Sequence, residues 1–126
     1  MPWMQYNPNP RRTRVGDCAV RAVAKATGQD WESSYCALAV KGYSMADLPS
    51  ANSVWGAYLK EKGFKREIIP NTCPDCYTVE EFCRDHPRGM YVLALEGHVV
   101  TVYDGKFFDT WDSGNESVLY FWYKEE

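Results

Sequence analysis

Histidine is scarce in this chain: the 126 residues include only two, His86 and His98. Any chemistry that needs an imidazole must use one of them. Runs of apolar residues long enough for a membrane-spanning helix, about 20 residues, are missing, so no helical span is expected within these residues. Met1-Pro2-Trp3-Met4-Gln5-Tyr6 has neither the basic start nor the apolar stretch of a secretory leader, so a cytoplasmic protein is expected. The five cysteines (Cys18, Cys36, Cys73, Cys76 and Cys83) are an odd number, and reduced thiols are expected in place of a disulfide framework. Excess positive charge is lacking too. A formal net charge of −3 argues against a general nucleic-acid surface, and Arg11, Arg12 and Arg14 read as a solvated lead-in. Internal repeats, low-complexity runs and linkers are absent, and the length suits one domain over 1–126.

Prolines at 2, 8 and 10 predict an extended arm over 1–14. Val15-Gly16-Asp17-Cys18 then opens a run of small residues with helical spacing. The first helix is expected from 17 or 18 to 27, closed by Gly28, with Cys18, Ala22, Val23 and Ala26 on its inward face. A second helix follows Asp30, a good N-cap, and is expected to run to about Lys41 with Gly42 behind it. A third spans roughly 53–62, ending at Gly63. A short strand over 64–69 stops at Pro70, and Thr78-Val79-Glu80-Glu81 has the spacing of a capping box that opens a short helix.

Strands are expected from there on, over 90–95, 98–103, 106–111 and 117–123, the last apolar on both faces. Trp3, Tyr6 and Trp31 are available to cover that last strand. The order predicts an α+β fold with N-terminal helices packed on a C-terminal antiparallel β-sheet.

Cys18 lies at or just inside the first turn of its helix. Unpaired N–H groups and the positive end of the helix dipole favour thiolate over thiol there, although most free cysteines are small buried hydrophobes. A base can be sought by strand pairing. Asp104-Gly105 is a strong two-residue hairpin turn, so Tyr103 should pair with Lys106 and His98 should lie opposite Trp111. Val100 then faces Asp109, and parity puts His98 and Asp109 on one face as diagonal neighbours. Asp112 should point the other way and is the weaker partner.

A thiol, an imidazole and a carboxylate form the minimum set for covalent acyl transfer. The Cys18 N–H is a natural oxyanion donor, and a side-chain amide of Gln5, Asn7 or Asn9 is a candidate for the second. No cofactor is required for such chemistry. A separate set, Cys73-Pro74-Asp75-Cys76 with Cys83 and His86, has ligands at a spacing that could hold a structural Zn²⁺.

Gly16-Asp17-Cys18, Gly97-His98 and Asp109 on the next strand together resemble the papain-like cysteine peptidase superfamily, and most closely its small bacterial and phage members of C39 and OTU type. The resemblance covers most of the chain as an order of elements and only short motifs in detail. It implies a minimal papain-like fold, a peptide or protein substrate, and hydrolysis of a peptide, isopeptide or related amide bond. Cys18 would be the nucleophile, His98 the general base and Asp109 its orienting residue. Papain carries a glutamine shortly before its cysteine; here that position is Arg12. Two other readings accompany it: a binding module that keeps the fold without activity, and a small zinc-stabilised structural domain.

Overall fold

A computed structural model describes residues 2–69 and 77–124. Among these, the elements run β1 (Trp3–Gln5), α1 (Cys18–Thr27), α2 (Trp31–Met45), α3 (Asn52–Glu61), β2 (Phe64–Ile68), α4 (Val79–Asp85), β3 (Met90–Leu95), β4 (His98–Tyr103), β5 (Lys106–Asp109) and β6 (Val118–Lys124). The fold is α+β, with the strands mostly C-terminal and joined in one mixed sheet of order β1-β5-β4-β3-β6-β2. No helix among the described residues is long and apolar enough to cross a membrane.

The hairpin forms as its turn residues require. Asp104 and Gly105 take φ values of 50° and 77°, and Tyr103 pairs with Lys106, Val102 with Phe107 and Thr101 with Phe108. The fifth strand stops at Asp109, short of the expected 111, as the Asp109 carboxylate turns onto the Thr110 N–H at 2.8 Å. The arm holds an element that the sequence reading lacked. Residues 3–5 pair in parallel with 107–109, flanked by hydrogen bonds from the Phe107 N–H to the Pro2 carbonyl (2.8 Å) and from the Tyr6 N–H to the Asp109 carbonyl (2.9 Å). The sheet is therefore not purely antiparallel.

Helices cover both faces. Helices α1, α2 and α3 pack on Val92, Ala94, Val99 and Trp122, while α4 packs Val79, Phe82 and Cys83 against Leu93, Val100, Val102 and Phe107. The alternation along β3 and β4 decides which residues face which layer. Strand β6 is flanked by β3 and β2, so its two apolar faces are both used: Trp122 enters the first layer and Phe121 meets Phe82 at 5.0 Å in the second. The Thr78 and Glu81 capping box forms as its spacing implies.

Helix α1 is buried on nearly every side, and its alanines let it approach β4 closely enough for the Thr101 hydroxyl to donate to the Ala22 carbonyl at 2.7 Å. Gly28 closes it in the left-handed conformation at φ 72°. Helix α2 does not end at Lys41. It continues through Gly42 to Met45, and Ala46 takes the left-handed cap at φ 55°. Gly42 serves close packing and not termination: a Cβ there would stand 2.8 Å from the Asp47 carbonyl oxygen and 3.1 Å from the Pro49 nitrogen. Alanine is the better helix former, yet Gly42→Ala is expected to destabilise the chain by about 1–3 kcal/mol, because backbone atoms must move. Urea denaturation measures this, and a neutral or stabilising result would remove the packing argument.

Candidate active site

Cys18 is the first residue of α1, and it follows a tight turn in which the Asp17 N–H donates to the Val15 carbonyl at 2.8 Å. Asp17 occupies the N-cap position without capping through its side chain. Its carboxylate is committed elsewhere. One oxygen pairs with the Arg21 guanidinium, and the other accepts from Trp31 Nε1 at 2.9 Å and from Asn9 Nδ2 at 3.5 Å. The helix N-terminus beside Cys18 is thus left without a side-chain cap, which suits an anion there.

His98 begins β4 and Asp109 ends β5, and the register brings them together: His98 Nε2 and Asp109 Oδ2 are 2.7 Å apart. The carboxylate of Asp109 is 1% exposed and fully engaged. Its Oδ2 also accepts from the Ser113 hydroxyl at 2.7 Å, while Oδ1 accepts from the Thr110 N–H at 2.8 Å and from Arg21 at 3.3 Å. Arg21 therefore bridges the two buried carboxylates, Asp17 and Asp109. Trp3 Nε1 donates to the Asp109 carbonyl at 3.1 Å, so the arm braces the same residue from outside. Asp112 takes no part; it accepts from the Gly114 N–H at 3.0 Å.

Asp109 occupies Nε2 of His98, so Nδ1 is the ring nitrogen left to the Cys18 thiol, which lines the same cleft as the ring and shifts with it. Burial is the largest single influence on both groups, and it disfavours their charged forms. It is outweighed in each case. For His98, the hydrogen bonds and charges of Asp109 and Cys18 carry the imidazolium up to about 9. For Cys18, the His98 hydrogen bond and charge, the Val99 backbone and the Arg21 charge bring the thiol below its ordinary value. Asp109 is also held low: burial opposes this, but the His98 and Ser113 hydrogen bonds prevail. The two directions together favour a thiolate–imidazolium pair.

The pair opens into a cleft of about 430 Å³ whose walls include Arg14, Gly16, Arg21, Gly97, Thr110 and Trp111. The Trp111 ring lies 5.0 Å from that of His98 and shields one side of it. No side-chain amide lines this cleft among the described residues. Gln5 is exposed on β1 opposite Asp109, and Asn7 accepts from the Asn9 N–H at 3.2 Å. Asn9 is buried with its oxygen on the Arg11 N–H at 2.9 Å and its nitrogen toward Asp17. None of the three amides is among the residues that line the cleft, whereas Cys18 itself is.

The zinc candidates are placed only in part. Cys73 and Cys76 lie outside the described residues. Cys83 sits in the core under α4, where burial and then the charge of Glu80 push its thiol up to about 12. The His86 ring stacks on Phe82 at 3.8 Å, with Nδ1 2.9 Å from the Phe82 carbonyl oxygen. Among the described residues no group of three or more histidine, cysteine or acidic side chains is disposed to hold a metal.

Sequence reasoning missed Asp17, Arg21 and Ser113 as parts of the site. The four-residue spacing of Asp17 and Arg21 was a usable signal for an ion pair on one helix face, but nothing local pointed to Asp109 as the third member. No family model, curated protein or solved structure matches the chain.

Proposed function

We propose that the protein is a cysteine hydrolase of papain-like type that cleaves a peptide, isopeptide or related amide bond. The observation that carries this reading is that Cys18 and His98 line one cleft while the buried Asp109 holds the far nitrogen of the ring at 2.7 Å. The Cys18 thiolate adds to the substrate carbonyl carbon, and the oxyanion formed is met by the Cys18 N–H at the start of α1. The imidazolium of His98 gives its proton to the leaving nitrogen as the C–N bond breaks, releasing the amine and leaving a thioester on Cys18. Water then attacks the thioester and passes a proton to His98. The C–S bond breaks, the acid leaves, and the thiolate–imidazolium pair is restored. Asp109 stays ionised throughout; it orients the ring and supports its charge.

The test is alkylation of Cys18 with iodoacetamide at pH 6. A thiol whose proton is already on His98 should react at least about tenfold faster than an unstructured cysteine, and His98→Ala should abolish the advantage. A Cys18 that reacts no faster than an unstructured thiol would leave a non-catalytic binding module as the better reading.

A further inference from the structure

The cleft over Cys18 has a neighbour across Gly16. Val15 and Gly16 also wall a second groove of about 390 Å³, which runs over Pro10, Trp31 and Tyr35. No atom stands within 4 Å of where a Gly16 side chain would be, so the shared wall at Gly16 carries no side-chain obstruction. The Trp31 and Tyr35 rings stack at 5.1 Å and 25°, and the hydrogen bond from Trp31 Nε1 to Asp17 fixes the platform.

The charged residues that line the two grooves are Arg11, Arg14 and Arg21 with one acid, Asp17. Arg14 lines the first groove and Arg11 the second, and neither has an ion-pair partner among the described residues. Asp17 is buried and already paired with Arg21, and Asp109 behind His98 is buried and likewise spent on Arg21 and His98. The buried Asn9 holds the backbone beside Arg11, accepting the Arg11 N–H through its side chain and the Arg12 N–H through its carbonyl, both at 2.9 Å. Among the described residues, Arg11 and Arg14 are thus cations without a carboxylate partner on the two grooves beside the thiol.

We propose that the substrate is an acidic peptide, with an Asp or Glu side chain beside the scissile carbonyl held by Arg14, and an aromatic or aliphatic side chain seated on Trp31 and Tyr35. This rests on Cys18 being the nucleophile of the proposed hydrolase. The side chains select by complementary charge at the thiol and apolar contact one groove away. A single-stranded nucleic acid could also stack on aromatic rings, but the overall negative charge and the narrow span of two arginines favour a peptide.

Two measurements separate this proposal from the reading beneath it. Binding to Cys18→Ala protein is followed by fluorescence anisotropy with labelled peptides that differ only in carrying Glu, Gln or Lys next to a central Gly, with Phe nearby. The Glu peptide should bind at least about tenfold tighter than the Gln peptide at low salt. That preference should vanish in an added Arg14→Gln change and invert toward Lys with Arg14→Glu. Equal affinities for the three peptides, or displacement of the Glu peptide by an oligonucleotide at equal concentration, would overturn the proposal. In the wild-type thiol background, Arg14→Glu should slow alkylation by anionic iodoacetate several-fold relative to neutral iodoacetamide. An unchanged ratio would also count against it, whereas a slow iodoacetamide reaction in the unaltered protein would count against the nucleophile itself.

Discussion

In the proposed hydrolase, exchanging Asp109 for asparagine is expected to lower kcat/KM by about 10³–10⁴-fold while the chain still folds. The reason lies in how the carboxylate is used. Every contact it makes is with a donor: His98 and Ser113 on one oxygen, Thr110 and Arg21 on the other. An amide has only one oxygen to offer. If that oxygen faces His98, the NH₂ group meets the donors of Thr110 and Arg21. If it faces them, the NH₂ points at His98 Nε2 and forces the ring to carry its proton on the nitrogen that meets Cys18. The ring then cannot accept the thiol proton.

The pH profile identifies the cause. With Asp109 in place the thiolate–imidazolium pair of the proposed hydrolase is favoured between the depressed titration of Cys18 and that of His98 near 9. Rates should therefore rise as the thiol ionises and fall as pH passes through about 9. The asparagine variant removes a charge that favours imidazolium, so the alkaline limb should move to lower pH. Stability follows the same sign. The raised His98 contributes fully below its unfolded value of 6.5, and that contribution is lost as pH rises through about 9, so the variant should show a weaker decline over this window. An alkaline limb that stays near 9 in the variant would mean that Asp109 does not govern the imidazole.

The readable part of this site was the part that depends on local rules. Asp104-Gly105 fixes a two-residue turn, and counting outward from it places His98 and Asp109 together without any knowledge of the rest of the molecule. The bounds of α1 were readable for a similar reason, since Gly16 and Gly28 punctuate a run of small residues. Strand β1 was not, because three residues are too few to show alternation and the partner strand lies about a hundred positions away. The end of α2 was misread at Gly42, where a glycine penalty of about 1 kcal/mol is overridden by tight contact with the 47–49 loop. Placement of α4 on the far face of the sheet depended on which side of β3 and β4 remained uncovered, a property of the assembled layers. The buried charge cluster was half visible: Asp17 and Arg21 are one helical turn apart, but Arg21 and Asp109 are separated by 88 positions.

That cluster carries the second large effect. Arg21→Met is expected to destabilise the chain by about 3–5 kcal/mol at pH 7, far more than the loss of a surface ion pair, because it removes the cation and leaves buried carboxylates behind. Arg21 is 6% exposed, and its partners Asp17 and Asp109 are 7% and 1% exposed. The damage is not shared equally. Asp109 keeps three donors after the change, from His98, Ser113 and Thr110. Asp17 keeps only Trp31 Nε1 and the longer contact with Asn9, so most of the penalty falls there. Lysine should not rescue fully, since one ammonium cannot span two carboxylates as a guanidinium does. Adding Asp17→Asn to Arg21→Met removes the orphaned charge, and the double variant should recover more than half of the loss. Alkylation gives an independent readout. The Arg21 charge helps to hold the Cys18 thiol below its ordinary value, so Arg21→Met should slow the iodoacetamide reaction at pH 6 even where the protein is fully folded. Denaturation of the two single variants and the double variant decides the matter. If their effects simply add, Arg21 acts as a packed side chain and not as the bridge between helix and triad.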